Sequence, residues 1–304
     1  MADRQTGRDR AAVLRAYGLR QLYRLGWRVA ARVPPGLVDR LIARSSRRAV
    51  ERGGWHVDNL RHNLSAVSAR PCDDAMLRAA VASHLRNVYE QLALPGWSVA
   101  EILARVQTTG EDALRRAHAG SGAVVALPHS GNWDLAGAWA CRSGLPVTTV
   151  AERLGDAEFA AFTAFRRRLG MEVLSHRDPD LMATLVGAVA RGRVVCLLAD
   201  RDLERDGVPV VWAGRPASMP VGPALVAQRS GAALFPAVSQ FRGRGMMLRI
   251  GPRIPTRPGP AGLAAMTQEL ADVFVARIAE RPQDWHLLQP FFADDPRMLA
   301  RGGR

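Results

Sequence analysis

A chain of 304 residues with 48% hydrophobic content and no low-complexity tract can bury a sizeable core, which excludes a disordered or fibrous protein. All 42 basic residues behind its net charge of +14 are arginine, so part of the basicity reflects a GC-rich coding bias. Thirteen of these arginines fall within residues 1–53 against Asp3, Asp9, Asp39 and Glu51, so this segment carries nine of the fourteen excess charges and marks an anionic partner.

The first 30 residues lack the uninterrupted apolar segment of a signal peptide, and no run of 18 apolar residues is present to span a bilayer. Residues 9–33 are expected to form a helix in which Arg20, Arg24, Arg28 and Arg32 recur every four residues. Leu19, Leu22, Leu25, Val29 and Val33 gather on its other side, and Pro34-Pro35 ends it. Such a helix either lies in an anionic membrane surface or docks on the core with its charges in water. Residues 37–52 repeat the character with Arg40, Arg44, Arg47 and Arg48, and the succession favours the membrane. Nucleic acid is not expected as a partner, since no recognisable binding module accompanies the arginines.

Three further helices are expected at 57–64, 73–94 and 111–118, with Pro71, Pro95-Gly96 and Gly120 to Gly122 as breaks. His62, His84 and His118 stand alone within this stretch, which suits surface or packing roles. Cys72, Cys141 and Cys196 are odd in number and widely spaced, as expected for free thiols in a reducing compartment.

From Ala123 the rhythm becomes strand then helix. Strands are expected at 123–127, 146–151, 194–199, 208–212, 232–238 and 246–250, and helices at 133–142, 156–169, 180–191, 222–229 and 262–280. This alternation implies an α/β fold with a central, mostly parallel or mixed sheet flanked by helices on both faces. A single α/β domain over residues 54–304 would follow a basic amphipathic helical segment at 1–53.

The first strand of this series runs into Pro128-His129-Ser130-Gly131-Asn132-Trp133-Asp134. His129 then falls at the carboxyl end of a strand and Asp134 in the first turn of the next helix, at the edge where open α/β sheets bind ligands. A carboxylate at that spacing can hold one imidazole nitrogen and leave the other as a base for a substrate hydroxyl. The spacing alone equally allows a helix-capping or packing histidine. Polar clusters at Glu152-Arg153, Arg166-Arg167-Arg168 and Asp200-Arg201-Asp202-Leu203-Glu204 end neighbouring elements and would converge on the same crevice. There is no glycine-rich phosphate loop, no Gly-x-Ser-x-Gly elbow and no zinc-ligand spacing, so neither a metal nor a cofactor is expected.

Taken together, these blocks resemble the lipid A biosynthesis type of acyltransferases. His129 to Asp134 is similar to that family's His-x4-Asp/Glu box, and Leu198-Ala199-Asp200-Arg201 with Gly207 to Val210 and Gly214 to Ala217 is similar to its second block. Pro220 to Ala224 with Ser230 to Ala232 is similar to the third, and Arg61 to Leu64 to an earlier Asn-Leu element. Within the family the chain is most similar to the actinobacterial phosphatidylinositol mannoside acyltransferases, which are peripheral on the cytoplasmic face of the inner membrane. The resemblance implies transfer of a palmitoyl group from acyl-CoA, as co-substrate, to the 6-hydroxyl of a mannose on a phosphatidylinositol mannoside acceptor, with no covalent acyl-enzyme. It implies His129 as general base supported by Asp134, a catalytic role for Glu204, and substrate-binding roles for Glu152 and for one of Arg166 to Arg168, assigned to Arg167. A monomer is expected. Burying about fourteen methylenes, worth roughly 11 kcal/mol at about 0.8 each, requires an apolar tunnel. The helices starting at Trp133 and Gly222 are its expected walls.

Overall fold

The computed structural model describes residues 26, 29–68, 70–152, 156–202 and 205–295. Most of the expected 9–33 helix, together with Glu204, lies outside them. The helix α1 (Pro35–Arg52), the first whose whole length is described, starts with proline at its first position, where a missing N–H does no harm. It buries Val38 and Ser46 against α3, while Leu37 and Leu41 remain exposed among its arginines. α2 (Trp55–Val67) and α3 (Asp74–Ala93) follow. The Asp73 side chain caps α3 by accepting from the Met76 N–H at 2.7 Å. Ser98 and Glu101 form a reciprocal capping box on α4 (Val99–Arg105), which then gives way to β1 (Val106–Thr109) and α5 (Glu111–Ala119).

The remaining elements are β2 (Ala123–Leu127), α6 (Trp133–Arg142), β3 (Val147–Ala151), α7 (Asp156–Arg168), β4 (Glu172–Ser175), α8 (Leu181–Ala190), β5 (Val194–Leu198), β6 (Val208–Trp212), β7 (Arg215–Met219), α9 (Gly222–Ser230), β8 (Ala233–Arg242), β9 (Gly245–Ile250) and α10 (Gly259–Glu280). Seven strands form one sheet in the order β1-β9-β8-β2-β5-β3-β4. Every pairing is parallel except β8 with β9. The α/β class with a mixed, mostly parallel sheet is thus as expected.

β2 is buried along its whole length at the centre of the sheet, and its side chains alternate between two cores. Val124 and Ala126 join a core with α2, α3, α8, α9 and α10. Ala123, Val125 and Leu127 join the other, with α4, α5, α6 and α7. Helices therefore cover both faces, as a buried parallel sheet requires.

Five elements differ from expectation: β6 in its placement, and β1, β4, β7 and α4 in being present at all. The strand at 208–212 does not enter the main sheet: β6 pairs antiparallel with β7 as a separate hairpin, through a turn in which Ala213 and Gly214 both have positive φ. That hairpin packs Trp212 on the α10 side, 5.4 Å from Trp285 and nearly parallel to it. The four-residue strands β1 and β4 and the seven-residue α4 are too short to display a period.

Candidate active site

β2 and β5 are adjacent and parallel, with Leu127 opposite Leu198. Two residues further along each strand stand His129 and Asp200, so the register itself brings them face to face. His129 Nδ1 lies 2.6 Å from Asp200 Oδ1, and the His129 backbone N–H donates to Asp200 Oδ2 at 2.9 Å. The Trp285 indole N–H donates to the same Oδ2 at 2.9 Å. Asp200 is fully buried, whereas the His129 side chain keeps 16% of its surface exposed, so a substrate can reach the imidazole but not its carboxylate. Burial alone would push the Asp200 carboxyl up. The charge of His129 and the converging N–H groups outweigh it and hold the group below the ordinary carboxylate value. An ionised Asp200 accepts from Nδ1–H, which fixes the tautomer with Nε2 as the basic nitrogen. Among the described residues Nε2 meets no hydrogen-bond partner.

Asp134 does not hold His129, contrary to the expected pair. From the first turn of α6 its Oδ1 accepts from Arg166 Nε at 2.6 Å, with both side chains buried. The physical reason is register: the turn from 129 to 133 carries α6 over one face of the sheet, while the neighbouring strand end lies beside His129. The rest of the box holds this corner in place. Ser130 donates to the Ser239 carbonyl at 2.8 Å and Ser239 donates back to the Ser130 carbonyl, which pins the loop to β8. Gly131 has φ +59°, and a Cβ there would stand 2.6 Å from the Ser239 carbonyl oxygen, so only glycine fits. Asn132 caps α6 by accepting from the Leu135 N–H at 2.9 Å and donates to the buried Glu90 carboxylate at 2.9 Å. Trp133 packs edge-on to His129, with ring centres 5.2 Å apart.

The segment after α10 closes the site from behind. The His286 N–H donates to the His129 carbonyl and the Gly131 N–H to the Asp284 carbonyl, each at 2.8 Å. Asp284 in turn accepts from Ser83 at 2.7 Å and from the Phe241 N–H at 2.9 Å. The His286 ring is buried 3.0 Å from Ser83 Oγ. Burial, then the neighbouring His84 and His129, lower its pKa well below the ordinary imidazole value, so it is neutral at pH 7.

Beside this corner an apolar cavity lies between α6 and the sheet. Trp133, Asp134 and Arg166 line its upper end, and Val125, Leu127, Cys196 and Leu198 are among its wall. The helix from Trp133 lines this cavity, whereas α9, the helix from Gly222, packs Ala224, Val226 and Ala227 into the core on the opposite face. Burial pushes the Cys196 thiol up to about 12, which leaves it a wall residue and not a nucleophile.

Of the other expected site residues, Glu152 follows β3 on the same edge, 3.9 Å from Arg201. Arg167 is exposed, and its neighbour Arg166 is the arginine in the cavity wall. Glu204 lies outside the described residues. Asp200 was legible only as part of a polar cluster, and its equal offset from a paired strand is the signal that identifies it. Nothing in the sequence marked Trp285. Among the described residues no group of acidic, His and Cys side chains could hold a metal ion, and no helix is long and apolar enough to cross a membrane.

The model of the bacterial lipid A biosynthesis acyltransferases matches residues 6–293. Over 282 residues the chain is 39% identical to the phosphatidylinositol mannoside acyltransferase of Mycolicibacterium smegmatis, covering 90% of this chain and 91% of that protein. The protein of the same name from Mycobacterium tuberculosis is also 39% identical over 282 residues, covering 90% of this chain and 88% of its own length. With a family model spanning nearly its whole length and relatives matched almost end to end, the chain belongs to the bacterial lipid A biosynthesis acyltransferase family.

Proposed function

We propose that the protein transfers a long-chain acyl group, palmitoyl, from acyl-CoA to the 6-hydroxyl of a mannose on a phosphatidylinositol mannoside, at the cytoplasmic face of the inner membrane. The observation that carries this reading is the His129–Asp200 pair packed against Trp133, whose ring also lines the apolar cavity beside it. The family and the names of the 39% identical relatives support the acceptor.

In this mechanism His129 Nε2 takes the proton of the mannose hydroxyl as that oxygen attacks the thioester carbonyl, and Asp200 stabilises the imidazolium. The C–S bond breaks as the tetrahedral centre collapses, and the imidazolium returns its proton to the departing thiolate. No acyl-enzyme forms. α6 starts at Trp133, four positions after His129, and the positive end of its dipole with the N–H groups left uncapped by Asn132 suits the negative charge that develops on the carbonyl oxygen. Asp134 and Arg166 neutralise each other at the cavity entrance and act as positioning residues. Glu152 and Arg201 on the rim suit polar parts of the donor or acceptor, and the catalytic role for Glu204 rests on the family resemblance alone. No cofactor takes part.

The acceptor is anchored in a bilayer. The arginines of α1 beside exposed Leu37 and Leu41, continuing the basic segment before it, suit an anionic membrane surface. The experiment is incubation with radiolabelled palmitoyl-CoA and phosphatidylinositol mannosides, with palmitoyl-acyl carrier protein and lipid A precursors as separate arms. Label on the mannoside from the CoA donor, lost in His129→Ala with the circular dichroism spectrum retained, is the expected result. Transfer only from the carrier protein, or near-normal turnover by His129→Ala, overturns the donor or the base respectively.

A further inference from the structure

α3 packs against the segment that follows α10, and its buried face carries two polar side chains, Ser83 and Glu90. They are two helical turns apart and so share a face. A hydroxyl or carboxylate is costly to bury unless it is hydrogen-bonded, so each calls for a partner. Glu90 accepts from Asn132, the cap of α6, at 2.9 Å and so holds the far end of the His129 loop. Ser83 reaches the segment behind the near end.

A serine hydroxyl has one proton to give. Ser83 Oγ donates it to Asp284 Oδ1 at 2.7 Å, so at 3.0 Å from His286 Nε2 it accepts, which fixes the His286 tautomer with its proton on Nε2. One hydroxyl thereby ties together the first and third residues of Asp284-Trp285-His286. All three of those residues hold the reactive corner. The Asp284 carbonyl accepts from the Gly131 N–H, and the His286 N–H donates to the His129 carbonyl, each at 2.8 Å. Between them Trp285 forms an antiparallel bridge with Ser130 and donates its indole N–H to Asp200. His129 is thus held at its N–H by Asp200 and at its carbonyl by His286, while its ring meets a carboxylate that Trp285 also grips.

We propose that Ser83 is a positioning residue for the acyl transfer: by clamping the side chains of residues 284 and 286, its hydroxyl sets how His129 is presented to Asp200. The effect on rate rests on the acyl-transfer reading. Without the hydroxyl, Asp284 Oδ1 and His286 Nε2–H each lose a partner in a buried place. The segment relieves that loss by moving, and it carries Trp285 and the His129 main chain with it.

The test compares the full-length protein with Ser83→Ala, Ser83→Thr and His286→Phe, in transfer from palmitoyl-CoA to phosphatidylinositol mannoside well below the unfolding temperature. Ser83→Ala lowers kcat by about 10²-fold, the cost of displacing a reacting group by about 1 Å, with KM for donor and acceptor unchanged. Ser83→Thr keeps the hydroxyl and returns most of the rate. Proton NMR reads the geometry without substrate. The His129 Nδ1–H in its 2.6 Å contact with Asp200 gives a far-downfield resonance, identified by its loss in His129→Ala, and this resonance shifts in Ser83→Ala. A merely structural role lowers thermal stability and leaves kcat and the resonance as in the parent, which overturns the proposal. If Ser83→Ala does not fold, His286→Phe carries the decision, since it keeps a buried ring and the main chain and removes the bond to Ser83. Parental kcat and resonance in that variant overturn the clamp, and a slower, shifted variant supports it. A parent that transfers no acyl group sinks the acyl-transfer reading, and the resonance in Ser83→Ala then decides the role of Ser83 by itself.

Discussion

The imidazole of His129 and the carboxylate of Asp200, 71 residues apart in sequence, sit 2.6 Å apart because each stands two residues beyond a matched pair on neighbouring parallel strands. The partner that sequence proximity suggested, Asp134, is engaged with Arg166 instead. Asp200→Asn should therefore lower kcat by about 10²- to 10⁴-fold, the usual range for a general base and its support, with secondary structure unchanged. Asp134→Asn should act mainly on stability. Steady-state rates for both variants decide the matter, and full activity in Asp200→Asn with none in Asp134→Asn restores the nearer carboxylate.

The Asp134–Arg166 pair is buried, and removing one charge strands the other away from water. Asp134→Ala should cost about 3–5 kcal/mol in urea denaturation, while the double change Asp134→Leu with Arg166→Leu should recover most of that loss. A double variant as unstable as the sum of its parts would show that the charges are needed as such.

Trp285 contributes a hydrogen bond to the buried Asp200 carboxylate at 2.9 Å and a stacking partner for Trp212. Trp285→Phe keeps an aromatic ring and deletes the N–H. A bond to a charged group of this kind is worth about 1.5–3 kcal/mol, so the denaturation midpoint should fall by that equivalent with the m-value unchanged. An unaltered midpoint would mean that other donors satisfy Asp200 in its place.

Acid should unfold the protein in two stages. Burial, then the nearby His56 for His84 and the nearby His84 and His129 for His286, lower both pKa values below 6.5. The unfolded chain therefore binds protons that the folded one does not as the pH drops below about 6.5, and each histidine removes up to about 1.4 kcal/mol per pH unit in that window. Asp200, also depressed, adds stability above the ordinary carboxylate value of 3.8 that is lost as the pH falls through its lower folded value. Denaturation midpoints between pH 8 and 3 test the sequence of losses, and NMR titration should show the His286 imidazole unprotonated near pH 6 and the His84 imidazole protonating below the ordinary histidine value.

Much of the fold was legible because β2, β3, β5, β8 and β9 are largely apolar runs set between glycines and prolines, and most helices between them are long enough to show a period. The hairpin β6–β7 was not, since Val208 to Trp212 has the same composition whether it pairs in the main sheet or outside it. At the site, His129 was evident from its strand end, and the crevice from the polar groups at neighbouring strand ends. The choice between Asp134 and Asp200 depends on which strand lies next to β2, and β5 is inserted between β2 and β3. No local spacing encodes that insertion. Arg166 and Arg167 likewise differ only in the rotation of α7.

Because Asp200 is clasped by the indole of Trp285, and the His129 loop by the main chain of residues 284 and 286, the reactive corner is finished by a segment that follows every strand of the sheet. The seven-stranded sheet alone therefore does not make the site: the corner is complete only when residues 284–286 have folded back against the end of β2.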